Sequence, residues 1–83
     1  MNIRDNRAEN RFETEVDQVT AWLDYAKSSE SLTILHTDVP EALAGRGVGS
    51  ALVRHACDVA RAEGLKLVSH CSFATAWMKK NMK

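Results

Sequence analysis

Several kinds of feature are scarce in this chain. There is no net charge, since 11 Lys/Arg balance 11 Asp/Glu. That argues against nucleic acid as a partner, because such binding rests on a basic surface that neutralises phosphates. Cysteine occurs twice, at Cys57 and Cys71, with no C-x-x-C between them. Two are too few for a disulfide framework, so reduced thiols are expected. No stretch approaches the roughly 18 consecutive apolar residues of a membrane span, and Met1 to Asn6 lack the apolar core of a secretion signal. The expectation is a cytoplasmic protein with no membrane partner. Its 83 residues, 45% of them hydrophobic, give room for one domain, 1–83, around one modest core.

The neutral total hides an asymmetry. Residues 1–41 carry four Lys/Arg against nine Asp/Glu, and residues 42–83 carry seven against two. A charge block is often only a solvated face; the alternative is that the basic half meets a small polyanion.

Phe12, Thr14 and Val16 alternate with Glu13 and Glu15, the period of a half-buried strand. After a turn at Asp17-Gln18, Val19, Ala21, Leu23 and Tyr25 resume the alternation, with Thr20, Trp22 and Asp24 opposite. Lys27 to Ser31 form a second turn, and Leu32 to Val39 are apolar and β-branched enough for a central strand. Pro40, the only proline, has no N–H to give a ladder and ends that pairing. Val48, Ala51, Leu52, His55, Ala56, Val59 and Ala60 then recur at helical spacing, and Gly64 stands where a left-handed cap is wanted. Leu65 to His70 predict a strand, and Ser72 a cap for a last helix in which Phe73, Ala76 and Trp77 share a face, with Lys79, Lys80 and Lys83 toward its end. With a short first strand at Asn2 to Arg4 the order is β-β-β-β-α-β-α, an α/β fold with a mixed, mostly antiparallel sheet. The β-α-β step implies a parallel pair with a right-handed crossover.

Three of the four glycines, Gly45, Gly47 and Gly49, alternate at the mouth of the main helix. A helix N-terminus exposes unpaired N–H groups and about half a positive charge, and glycines both clear side chains from those amides and permit positive φ. The site therefore suits an anion. A P-loop would need Lys and then Ser/Thr after its last glycine, whereas Ser50-Ala51 follow Gly49. A dinucleotide fingerprint would need an acidic residue near the end of the next strand, where Ser69-His70 stand.

The spaced set His36-Thr37-Asp38-Val39-Pro40, Gly47-Val48-Gly49 and Cys71-Ser72-Phe73 resembles the small single-domain branch of the GNAT superfamily, the acetyl-CoA-dependent N-acetyltransferases. The resemblance spans Asn10 to Asn81 and implies a GNAT fold whose parallel strands splay on either side of the main helix. It implies acetyl-CoA as cosubstrate, with the amides of Gly45, Arg46, Gly47, Val48, Gly49 and Ser50 on its pyrophosphate and Val39 beside its pantetheine arm. The first position of the family's loop, usually Arg or Gln, is Ala44 here, and Arg46 is the residue placed to compensate in part. The resemblance also implies that His36 and Cys71 approach the thioester.

Acetyl transfer to an amine requires the amine unprotonated, and an imidazole is suited to take that proton. His36 is the candidate base, with a hydrogen-bonded core histidine as its alternative. Cys71 would either take the acetyl group or assist departure of the coenzyme thiolate, the alternative being a buried, inert thiol. His70 points to the sheet face opposite Cys71, and His55 is a boundary core residue with Cys57 facing elsewhere, so no metal site is expected. Tyr25, Trp22 and Trp77 fit core packing better than a substrate pocket. Lys79, Lys80 and Arg54 are candidates for the coenzyme 3′-phosphate, or simply a solvated helix face. The acceptor is an unidentified primary amine, small or on a protein, and the chain is a monomer or homodimer. The competing reading is a CoA-binding module with little or no catalysis, separable by heating the protein with and without acetyl-CoA.

Overall fold

Residues 1–82 are described by a computed structural model of the chain. The first half is a meander. Strands β1 (Ile3–Asn6), β2 (Arg11–Val16), β3 (Val19–Lys27) and β4 (Ser31–Asp38) pair antiparallel in chain order. The β2–β3 turn is tight because Asp17 and Gln18 both take positive φ, at 51° and 67°. Two such residues twist the chain the way a hairpin needs, and Asp at the first of them tolerates that conformation. A short 3-10 turn, Glu41–Leu43, follows Pro40. Helix α1 (Val48–Glu63) leads to β5 (Lys66–Ser69), which joins the sheet parallel to β4, and helix α2 (Ser72–Asn81) closes the fold. The order is the expected β-β-β-β-α-β-α.

Phe12, Ala21, Leu23, Tyr25, Leu32 and Ile34 fill one sheet face, and Val48, Leu52, Val53, Ala56 and Ala60 of α1 pack onto it. Burying the Phe, Leu, Ile and Val side chains among these contributes about 1.5–3 kcal/mol each before the entropy of ordering is set against it. The molecule measures 35 × 30 × 19 Å, a slab of two layers. Its second sheet face is polar and carries Arg4, Glu13, Arg11 and Asp24, linked by ion pairs Arg4–Glu13 at 3.1 Å and Arg11–Asp24 at 3.4 Å, with the Arg11 guanidinium 4.7 Å over Trp22.

Several predicted details shift. Strand β1 lies at Ile3–Asn6 rather than Asn2 to Arg4, β4 ends at Asp38, and β5 is shorter than the apolar run suggested. The buried stripe of α1 rotates to include Val53 and Cys57, which spacing alone had turned away. At Cys57 the cover comes from the end of α2, where Met82 Sδ lies within 3.5 Å of Cys57 Sγ. His55 sits edge-on to Phe12 at 4.8 Å between ring centroids, a boundary core position.

The start of α2 also differs from expectation. Cys71, not Ser72, is the N-cap residue, with extended backbone at φ −105° and ψ 123° and no side-chain cap bond. The turn is latched instead by Ser69, whose Oγ donates to the Cys71 carbonyl at 3.0 Å and accepts from the Thr75 hydroxyl at 2.9 Å. The inward residue is Ala74, with Trp77 and Met78 half-buried, while Phe73 is 46% exposed. The packed face therefore runs through Ala74, Trp77 and Met78, spaced i, i+3 and i+4, with Phe73 and Ala76 outside it. Lys79 and Lys80 occupy the last turn; Lys83 lies outside the described residues.

Candidate functional site

The parallel pair β4–β5 is short. Its register runs from Ser31↔Lys66 to Ile34↔Ser69, and the last bond is from the His70 N–H to the Ile34 carbonyl at 2.8 Å. Beyond it β4 continues to Asp38 along β3 alone, while the other chain turns away into α2. The two C-terminal ends thus part, and between them opens a groove of about 430 Å³.

One wall of the groove is Thr37 and Val39; the loop from Leu43 through Gly45 and the start of α1 from Gly47 to Ser50 form the second; Phe73 of α2 closes the third. The glycines have two separate reasons to be there. Gly45 and Gly47 lie at φ 77° and 76°, a region that other residues enter only with strain, and a β-carbon on either would meet nothing within 4 Å. Gly49 has ordinary helical backbone, but a β-carbon there would come within 2.9 Å of Phe73 Cζ and 3.4 Å of Val39 Cγ2.

Gly47 is the N-cap of α1 and offers no side chain to its amides. Ala51 N–H is the first to find a helical acceptor, the Gly47 carbonyl at 3.0 Å, so among the described residues the N–H groups of Val48, Gly49 and Ser50 have no acceptor. Three free donors at the positive end of a helix of 16 residues form a receptor for an anion. The opening into the groove gives that anion room for a long tail.

Cys71 stands at the base of the gap, 8% exposed, its Sγ 3.6 Å from Thr37 Oγ1. Burial alone would raise the thiol pKa. The Ala74 N–H, the Thr37 hydroxyl and the N–H groups of Phe73 and Thr37 outweigh burial and hold Cys71 below the ordinary thiol value. Cys57 has the opposite environment: burial, then the neighbouring Asp58 carboxylate, push its thiol up.

Residues 11–83 match the family model described as GCN5-related N-acetyl-transferase. The chain belongs to this family. The solution structure of a GCN5-like candidate N-acetyltransferase from Staphylococcus aureus is similar at 32% identity and a TM-score of 0.71, over 95% of this chain and 78% of that one. No curated protein matches. The chain is therefore an acyltransferase of the GCN5-related N-acetyltransferase type, and the β-β-β-β-α-β-α architecture is that of a GNAT-like domain.

In this GCN5-related N-acetyltransferase, Val39, Gly45, Gly47, Val48, Gly49 and Ser50 all line the groove. Arg46 does not; its Nη1 binds Asp17 Oδ2 at 2.6 Å, tying the glycine loop to the β2–β3 turn. His36 and Cys71 are not brought together. The ladder between β3 and β4 slips at Asp24/Tyr25: Tyr25 opposes Ile34 and Asp24 opposes His36, so Leu35 is an extra residue. Beyond this bulge the alternation changes phase, so that Thr37, opposite the buried Leu23, points toward the helices while His36 is exposed beside Asp24 on the polar face.

Sequence reasoning missed Thr37, Leu43, Ala44 and Phe73 as lining residues. Phe73 was legible as part of the Cys71-Ser72-Phe73 motif but had been assigned to helix packing. Nothing in the sequence marks the bulge that turns Thr37 inward. Arg54, Lys79 and Lys80 do not line the groove, and Arg54 stacks over Trp77 at 5.6 Å. Among the described residues, no three His, Cys, Asp or Glu are grouped to hold a metal ion, and no helix is long and apolar enough to cross a membrane.

Proposed function

We propose that the chain transfers the acetyl group of acetyl-CoA to a primary amine. The observation that carries this reading is the row of unpaired N–H groups at Val48, Gly49 and Ser50, opening onto a groove that leads to Thr37 and the gap beside Cys71. A diphosphate fits the donors, and the apolar Val39 and Phe73 suit a slender arm lying between the strands. Acetyl-CoA would bring an activated thioester to that gap.

Each residue then has a defined task. The amides of Val48, Gly49 and Ser50 hold the pyrophosphate without side-chain help, and Gly47 supplies the backbone turn that lets them converge, whereas the Arg46 N–H, expected in this set, is taken by the Leu43 carbonyl at 3.3 Å. Cys71, kept below its usual pKa, either attacks as thiolate or favours departure of the coenzyme sulfur. His36 is exposed on the polar sheet face and would be suited to take the proton of an ammonium approaching from that side. Much of the rate would come from holding thioester and amine together across the gap.

The deciding experiment is calorimetric titration with acetyl-CoA, followed by an amine screen with purified protein. Saturable binding that disappears on blocking the loop, with acetylated amine as product, is expected. A correctly folded protein that takes up no acetyl-CoA would end this reading.

A further inference from the structure

The bulge at Leu35 turns inward a side chain with no packing need for its polarity. Of the residues lining the groove only Thr37 and Ser50 have polar side chains, and Ser50 is at the helix end. Thr14 donates its hydroxyl to the Asn2 carbonyl at 2.7 Å, and the exposed Thr75 donates to Ser69 Oγ at 2.9 Å. The Thr37 hydroxyl has one partner among the described residues, Cys71 Sγ at 3.6 Å. Valine would fill the same space in this wall, so the oxygen needs another explanation.

We propose that Thr37 is the positioning residue for Cys71: its hydroxyl, on the groove wall, hydrogen-bonds the sulfur, steadies it beside the gap and donates to it once it is deprotonated. In the thiol form the S–H donates to Thr37 Oγ1. When that proton leaves to water, the hydroxyl rotates and donates its own hydrogen to the sulfur, and no other bond changes. The N–H groups of Phe73 and Ala74 at the start of α2 approach the same sulfur. Of the two, Thr37 lines the groove and is thus the partner on the coenzyme side. The use of this arrangement in catalysis rests on the acetyltransferase reading above; the arrangement itself does not.

Cys57 provides an internal reference, because the two thiols are almost equally exposed, 7% and 8%, in opposite environments. Alkylation by iodoacetamide, quantified separately at each cysteine by mass spectrometry across a pH series, reads the titration of Cys71 without any coenzyme. In Thr37→Val the Cys71 midpoint should move upward. Its rate at neutral pH relative to Cys57 should fall about threefold, the loss of thiolate being partly offset by the greater nucleophilicity of a more basic sulfur. Thr37→Ser should restore the original profile, and Thr37→Ala should behave as Val does, which covers the case in which Val disturbs the strand. A Cys71 profile unchanged in both Val and Ala, or not restored by Ser, overturns the assignment. Calorimetry with acetyl-CoA on the wild type is a separate arm: absence of binding together with a Thr37-dependent midpoint would discard the acetyltransferase reading while supporting Thr37.

Discussion

Gly49 lies under Phe73 so closely that a β-carbon on it would stand 2.9 Å from the ring's Cζ. The ring is nearly half-exposed and able to swing, so Gly49→Ala should cost at most about 1 kcal/mol of stability, at the mild end of overpacking. The groove, not the core, absorbs the change. Melting temperature should fall slightly while acetyl-CoA affinity drops at least tenfold, and Phe73→Leu in the same chain should recover part of the affinity.

Gly45 and Gly47 have free space around them but left-handed backbone. Alanine at either should therefore cost about 1–2 kcal/mol through conformation alone. Asparagine at Gly47 should be milder than alanine because it tolerates that region better. Denaturant melts of the Ala and Asn variants check the order; equal stability of all three would contradict it.

Arg46 is held by Asp17, not by the groove, and both side chains are substantially exposed. Such a pair contributes less than about 1 kcal/mol. Asp17→Asn should leave the melt nearly unchanged and release Arg46 toward an anion at the loop, tightening acetyl-CoA binding at low salt, whereas Arg46→Ala should weaken it. Isothermal titration of both variants measures the opposite signs, and high salt should shrink the difference.

His36 and Cys71 are on opposite sides of the sheet, so their contributions should separate. His36→Ala should lower acetyl transfer to an amine by about 10²-fold or more, in the range of general-base effects, while leaving Cys71 alkylation untouched. A parallel loss of thiol reactivity would mean that the two residues communicate.

Tyr25 donates to Asp5 Oδ1 beneath the β1–β2 hairpin, and burial first, then that hydrogen bond, push its pKa up to about 12. The folded protein holds this proton more tightly than the unfolded chain. Stability from this group is complete below about pH 10, the ordinary tyrosine value, and is lost as pH rises toward about 12. Thermal melts across that alkaline window should show a decline that is shallower in Tyr25→Phe.

The alternation in β2 and β3, the stop at Pro40 and the glycine-marked helix were all readable in the sequence, because each depends on local periodicity or on backbone chemistry. The groove wall at Gly45 to Ser50 followed from the same signals. Other features depended on neighbours distant in sequence. Cys57 is covered by Met82 at the end of α2, Cys71 takes the cap because Ser69 latches the turn, and Arg46 turns to a hairpin 29 residues away. Periodicity describes one element at a time and contains none of these.

Strand β4 serves both the core and the groove through a change of parity. Before Leu35 its even-numbered residues, Leu32 and Ile34, seal the core; after it the odd-numbered ones, Thr37 and Val39, face the groove. An uninterrupted ladder would have sent His36 inward and left Thr37 in solvent. One surplus amino acid thus decides which of two adjacent side chains enters the groove and which is left on the far face of the sheet.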